Sequence, residues 1–223
     1  KHCSLQQRML LVGTLFDPRV VVNELLLRAV EPKDAELITP ALRALADLTC
    51  LGLVKQELLR EVQCHIRKLD FWLLDLQPMS PHCCCACVGT LAVLDARDVE
   101  AVVDGPTLSH EISNDVNGLL RTANSSLDKW TEYDGVKFES LWALNQILEA
   151  HSKAFPAALL DECLCLVDKV CKDKHIVRYG EHGNSSNAGC ALREARKLGA
   201  QVHRLAASLT NKYYTIMHET VQY

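Results

Sequence analysis

Cysteines crowd the segment His82-Cys83-Cys84-Cys85-Ala86-Cys87. Thiolates and imidazoles are the usual ligands of structural zinc, and Cys84-x2-Cys87 has the spacing of one ligand pair. A closed tetrahedral site needs a second, separated pair. The nearest group, Cys163, Cys165, Cys171 and His175, does not supply it. At 100° per residue Cys163, Cys171 and His175 share a helix face while Cys165 points elsewhere. The expectation is a reduced, metal-free run packing the first turns of a helix after Ser80-Pro81, where thiols act as small apolar groups. Metal or redox chemistry at the cluster is the competing reading.

Nucleophilic catalysis needs a Ser or Cys poised beside a base. Cys64 and His65 are neighbours in a helical pattern and diverge by about 100°, poor geometry for an ion pair. The chain holds no Gly-x-Ser-x-Gly, His-Glu-x-x-His or Gly-x-Gly-x-x-Gly. The carboxylates Asp98/Glu100 and Asp161/Glu162 sit where a solvated helix face would place them. The loop Gly180–Gly189 runs into a helix whose first N–H groups could receive a phosphate. It lacks the Lys-Ser/Thr ending of a P-loop, so a flexible linker with Asn187 or a neighbour capping the helix is the better reading. No enzyme and no cofactor are expected.

Basic residues make a more coherent pattern. Leu192, Ala195, Leu198, Val202, Leu205 and Leu209 gather on one side of a helical wheel, with Arg193, Arg196, Lys197 and Arg204 on the other. Lys212, Tyr213 and Tyr214 follow, and Lys169, Lys172, Lys174 and Arg178 precede. One apolar face for docking and one basic face for phosphates suits a scaffold that touches RNA. Arg193, Arg196, Lys197, Arg204 and Lys212 are the candidate phosphate contacts, with an ordinary solvated surface as the alternative. Residues 1–167 carry 15 Lys+Arg against 23 Asp+Glu, whereas residues 168–223 carry 9 against 5. The asymmetry points to a basic C-terminal part meeting an anionic partner.

The elements that must position these groups read as helices. Hydrophobic residues make up 48% of the 223-residue chain and aromatics only 5%, so Leu, Val, Ala and Cys do the packing, and Leu and Ala lead the helix-propensity ranking. Apolar residues recur at three and four throughout, and no stretch alternates with period two. Asp17-Pro18, Thr39-Pro40 and Ser80-Pro81 have the form of an N-cap with proline at the first helical position. Phe155-Pro156 repeats the proline without a polar cap, and Gly105-Pro106 marks a turn.

Eleven cysteines bunched in this way do not form a disulfide framework and point to a reducing compartment. No run reaches the ~18 apolar residues of a membrane span. The chain opens on Lys1 rather than Met, which leads to the expectation that a preceding piece, with any targeting signal, has been removed.

The fold expected is all-α, an irregular string of helical hairpins (α-solenoid-like) with a C-terminal basic amphipathic helix. Hairpins are placed near 8–28, 37–68, 80–104 and 137–172. The organisation is a hairpin-repeat region over 1–172, a linker over 173–190, and the basic helix and tail over 191–223. The segments Leu42–Leu48, Gly89–Leu94 and Leu141–Ile147 resemble one another, at the unequal spacing of a repeat with insertions. An ordinary helical bundle also fits.

Leu141-Trp142-Ala143-Leu144, with the hairpin that follows, resembles the degenerate helical-hairpin repeats of organellar RNA-associated proteins, the octotricopeptide and heptatricopeptide families and the repeats preceding RAP domains. The resemblance covers residues 5–172 and is carried by 138–167. It implies an organellar protein. The hairpins are acidic where RNA-reading repeats are basic, so the function expected is a non-catalytic scaffold subunit of a mitochondrial ribosome or other mitochondrial ribonucleoprotein. Its partners would be other protein subunits and, through the C-terminal basic face, RNA. The alternative is a cytosolic helical-repeat adaptor that binds proteins without nucleic acid.

Overall fold

The computed structural model describes residues 20, 35–54, 56–75, 81–97, 106–127, 134–152, 155–174, 176–178 and 187–221. Every extended element among them is a helix, as the apolar spacing requires. The helix pair expected at 8–28, and the Asp17-Pro18 start, lie outside the described residues apart from Val20. The chain divides into two compact units, 1–102 and 103–223.

The first unit holds α1 (Ala35–Cys50), α2 (Gln56–Asp75) and α3 (Pro81–Arg97). The third helix begins at its proline, as Ser80-Pro81 predicts. Pro40 instead lies inside α1, because the helix starts five residues upstream of it. Pro40 is exposed, and lacking an N–H it gives the Glu36 carbonyl no donor within the helix. Thr39 is not a cap either. It is buried, and its Oγ1 hydrogen-bonds Cys83 Sγ at 3.3 Å.

α1 stops at a Schellman turn. Gly52 takes a φ of 70°, and the Gly52 and Leu53 amides donate to the Thr49 and Leu48 carbonyls at 3.0 and 2.9 Å. The chain then folds back into α2, but α1 and α2 are not the closely packed pair. Both pack on α3. The links Thr39–Cys83, Thr90 Oγ1 to the Leu42 carbonyl and Arg97 to the Cys50 carbonyl show α1 and α3 running parallel. On the other side Gln63 and Arg67 of α2 both donate to Asp95.

A helix covered on two sides needs side chains small enough to admit both neighbours. Cys83, Cys85, Ala86, Cys87, Thr90, Ala92 and Val93 are all buried. The cysteine run is therefore packing material for the helix that lies between α1 and α2, and none of the ten described cysteines is in a disulfide.

The second unit holds α4 (Pro106–Leu127), α5 (Asp134–Ala150), α6 (Leu160–Lys172, entered through a 3-10 turn at Ala157–Leu159) and α7 (Asn187–Val221). α5 packs against α4 and α7, and α6 also packs against α4 and α7. The helices read from sequence as a hairpin over 137–172 thus form, but each is wedged between the first and last helices of the unit. Ten successive residues of α5, Val136 to Asn145, are buried. Lys137 is among them, its Nζ 3.9 Å from the Asp173 carboxylate just beyond α6. Trp142 and Leu144 are core residues, 8% and 0% exposed.

α7 begins at Asn187, inside the segment expected as linker. Part of that segment is also anchored: Ile176 is fully buried, and its amide donates to Asp173 Oδ1 at 3.2 Å. Among the described residues no helix is long and apolar enough to cross a membrane.

Candidate basic interaction surface

α7 is 35 residues long, about 52 Å at the α-helical rise. It starts level with α5, since Gly135 lies against Asn187 Nδ2. The two helices run parallel, as Asn145 meets Glu194 and Glu149 meets Lys197 further along. α5 has 17 residues, so α7 outruns it by about 27 Å. Against α6 the direction is reversed. Gly199 sits against Val167 Cγ1, with 3.2 Å to the place a Cβ would take, and Arg196 lies near the Cys171 thiol. A Cβ at this position would crowd the Val167 side chain, which would have to give by a few tenths of an ångström.

Burial along α7 follows from these overlaps. Leu192, Ala195, Leu198 and Val202 are buried. Leu205 is half-buried, and Leu209, past the reach of α5 and α6, is 41% exposed. The apolar face expected for docking an outside partner is thus consumed by the unit's own core over its first four turns.

The candidate phosphate contacts separate into distinct settings. Arg193 and Arg196 are exposed; Arg193 also donates to Cys190 Sγ at 3.3 Å. Lys197 is exposed but pairs with Glu149 of α5 at 3.4 Å. Arg204 is exposed, and its Nε donates to the Ala200 carbonyl one turn back at 3.3 Å. Lys212 belongs to α7, and its side chain lies outside the described residues.

Tertiary packing adds what the helical wheel of one segment could not. Because α6 and α7 are antiparallel, the C-terminal end of α6, with Lys172 its last residue and Lys174 just beyond, lies toward the Arg196 turn of α7, where Arg196 is near Cys171. Lys172 is held by Asp168 at 2.8 Å with three quarters of its side chain exposed, and Lys174 is exposed. Lys169 instead turns to α4, where its Nζ donates to Asn124 Oδ1 at 3.0 Å.

Both of the more buried thiols on α6 are shifted by burial. Burial, with a smaller contribution from Glu162, pushes the Cys163 thiol up to about 12. Burial also raises Cys171, while the charge of Arg196 pulls it back and Asp168 adds to the rise. A raised thiol is a protonated and poorly nucleophilic one. Among the described residues no group of three His, Cys, Asp or Glu is arranged to hold a metal ion.

Comparison with family models, with curated proteins and with solved structures finds no match to this chain.

Proposed function

We propose that the chain is a non-catalytic scaffold subunit of a mitochondrial ribonucleoprotein assembly, of the organellar kind that the hairpin resemblance implies, with RNA met through the C-terminal helix. The observation that carries this reading is the division of labour along α7. Its buried side fastens it into the second unit, while Arg193, Arg196 and Arg204 stand exposed on the opposite side. Charged side chains on a rigid, anchored rod are positioned to meet phosphates with little ordering cost.

An irregular, α-solenoid-like repeat belongs to the same proposal. In its favour, the similar segments Gly89–Leu94 and Leu141–Ile147 lie in α3 and α5, the helices packed between two partners in their own units. The alternative, a protein-binding adaptor without nucleic acid, is favoured by Leu209, an exposed leucine on the part of α7 that outruns its partners.

Sedimentation of native lysate distinguishes the two. A ribonucleoprotein subunit migrates in a heavy particle and is released by ribonuclease or by high salt. Migration unchanged by ribonuclease would overturn the RNA reading and leave the adaptor.

A further inference from the structure

We propose that the seam between α6 and α7 is a phosphodiester-binding surface built by Lys172, the last residue of α6, and Lys174 just beyond it, together with Arg193 and Arg196 of α7. The inference rests on the RNA reading above and moves its centre from one face of one helix to the junction of two.

The antiparallel packing of the two helices, fixed by Val167 against Gly199 and by Cys171 near Arg196, gathers charges that lie about twenty residues apart in sequence. The carboxylates of this region are engaged. Glu194 is turned toward Asn145 of α5, with its Oε2 2.9 Å from the Asn145 amide nitrogen. Asp173 faces Lys137 and the Ile176 amide. Among the described residues Asp168 alone lies along the seam, and Lys172 offsets its charge. Among those residues four cations against one carboxylate leave the seam positive. Lys197 is outside it, because Glu149 neutralises that side of α7.

What the seam lacks identifies its partner. A protein interface has an apolar centre with a polar rim, whereas a phosphate backbone asks only for charge and hydrogen-bond donors. Among the described residues of the second unit the exposed large hydrophobic side chain is Leu209, and it lies further along α7 than the seam. Two arginines supply the planar donor forks that suit phosphate oxygens.

The test uses the full chain and a labelled 20-nucleotide oligouridylate, with binding followed by anisotropy across a KCl titration. Four contacts to a single strand give a slope of log affinity against log salt near −3, at about 0.7 per contact. The variant K172Q/K174Q/R193Q/R196Q loses most of that slope, while K197Q/R204Q changes it by no more than about 0.7. Single R193Q and R196Q variants, each lowering the slope by about 0.7, carry the test if the quadruple variant loses its far-UV helical signal. A quadruple variant that is folded and binds like wild type overturns the seam and leaves the RNA reading intact. Wild type that fails to bind at low salt overturns both. Polyglutamate displacing the RNA at equal charge concentration overturns the phosphate assignment in favour of an acidic protein.

Discussion

Asn145, fully buried on α5, donates from Nδ2 to both the main-chain oxygen and the carboxylate of Glu194, at 3.0 and 2.9 Å, across 49 residues of sequence. Both partners are acceptors, which fixes the orientation of the amide. The pair locks the register of two parallel helices. Its Oδ1 has no hydrogen-bond partner, so register is held at a cost in stability.

Asn145→Asp sets a carboxylate against the Glu194 carboxylate inside the unit. Destabilisation of about 2–4 kcal/mol at neutral pH is expected, from like-charge repulsion and burial. Protonating the new acid relieves it, so the deficit shrinks as pH falls below about 5. Urea unfolding at pH 7 and pH 4.5 measures this; a deficit that is the same at both would refute it.

Trp142→Ala and Leu144→Ala both open cavities in α5. Each should cost about 3–5 kcal/mol, the range for large-to-small changes in a packed core. By contrast Leu209→Ser should change unfolding by under about 0.5 kcal/mol. Equal losses at Leu144 and Leu209 would mean that α7 is packed along its whole length.

Asp173→Ala should be far more damaging than Lys172→Ala. The first leaves Lys137 buried with its 3.9 Å partner removed and takes the acceptor from the Ile176 amide, a loss of about 2–4 kcal/mol. The second breaks an exposed pair within one helix, worth no more than about 0.5 kcal/mol. Chemical denaturation of the two variants side by side decides, and similar midpoints would contradict the contrast.

Cys163 makes stability sensitive to alkali. Its folded value is raised from 9.0 to about 12, so the folded state prefers the protonated thiol. The contribution is complete below pH 9, where both states are protonated. It is lost as pH rises toward about 12, because only the unfolded chain gains from ionising. The full span is at most about 4 kcal/mol. Cys163→Ala should therefore show a shallower fall in melting temperature between pH 9 and 11 than wild type. Parallel profiles would remove Cys163 as the cause.

How much of this was legible in the sequence follows from what periodicity encodes. Spacing at three and four reveals a helix and its apolar side, which suffices for α1, α6 and α7. It does not reveal which helix covers that side. Spacing alone pairs neighbours in sequence into hairpins over 37–68 and 137–172, whereas the packed partners are α3 for the first and α4 and α7 for the second. Helices covered on two sides carry the weakest pattern. Buried Lys137, Glu139, Ser140 and Asn145 interrupt the apolar count of α5 although that helix is the most enclosed in its unit.

Pro81 opens a helix as Ser80-Pro81 predicts, and Pro106, whose Gly-Pro pair reads as a turn, heads α4; Pro40 lies inside α1, because a proline states where an N–H is missing rather than where a helix begins. The basic wheel of α7 was readable from residue types. That Glu149 claims Lys197, and that the C-terminal end of α6 lies toward Arg196, depends on contacts between segments and carries no signal in local spacing.

The seating of α5 between α4 and α7 has a consequence for the order of events during synthesis. α4 is complete before α5 emerges from the ribosome, but Glu194, which holds Asn145, follows it by 49 residues. At about 5–20 residues per second that separation lasts a few seconds. Through this interval the nascent chain presents a helix sheathed on one flank only, with Lys137 and Asn145 still hydrated and Leu144 and Ile147 waiting for cover. Closure of the second unit is therefore a late, long-range event in translation, and slowing elongation between residues 150 and 190 lengthens the time in which chaperones or aggregation compete for that open flank.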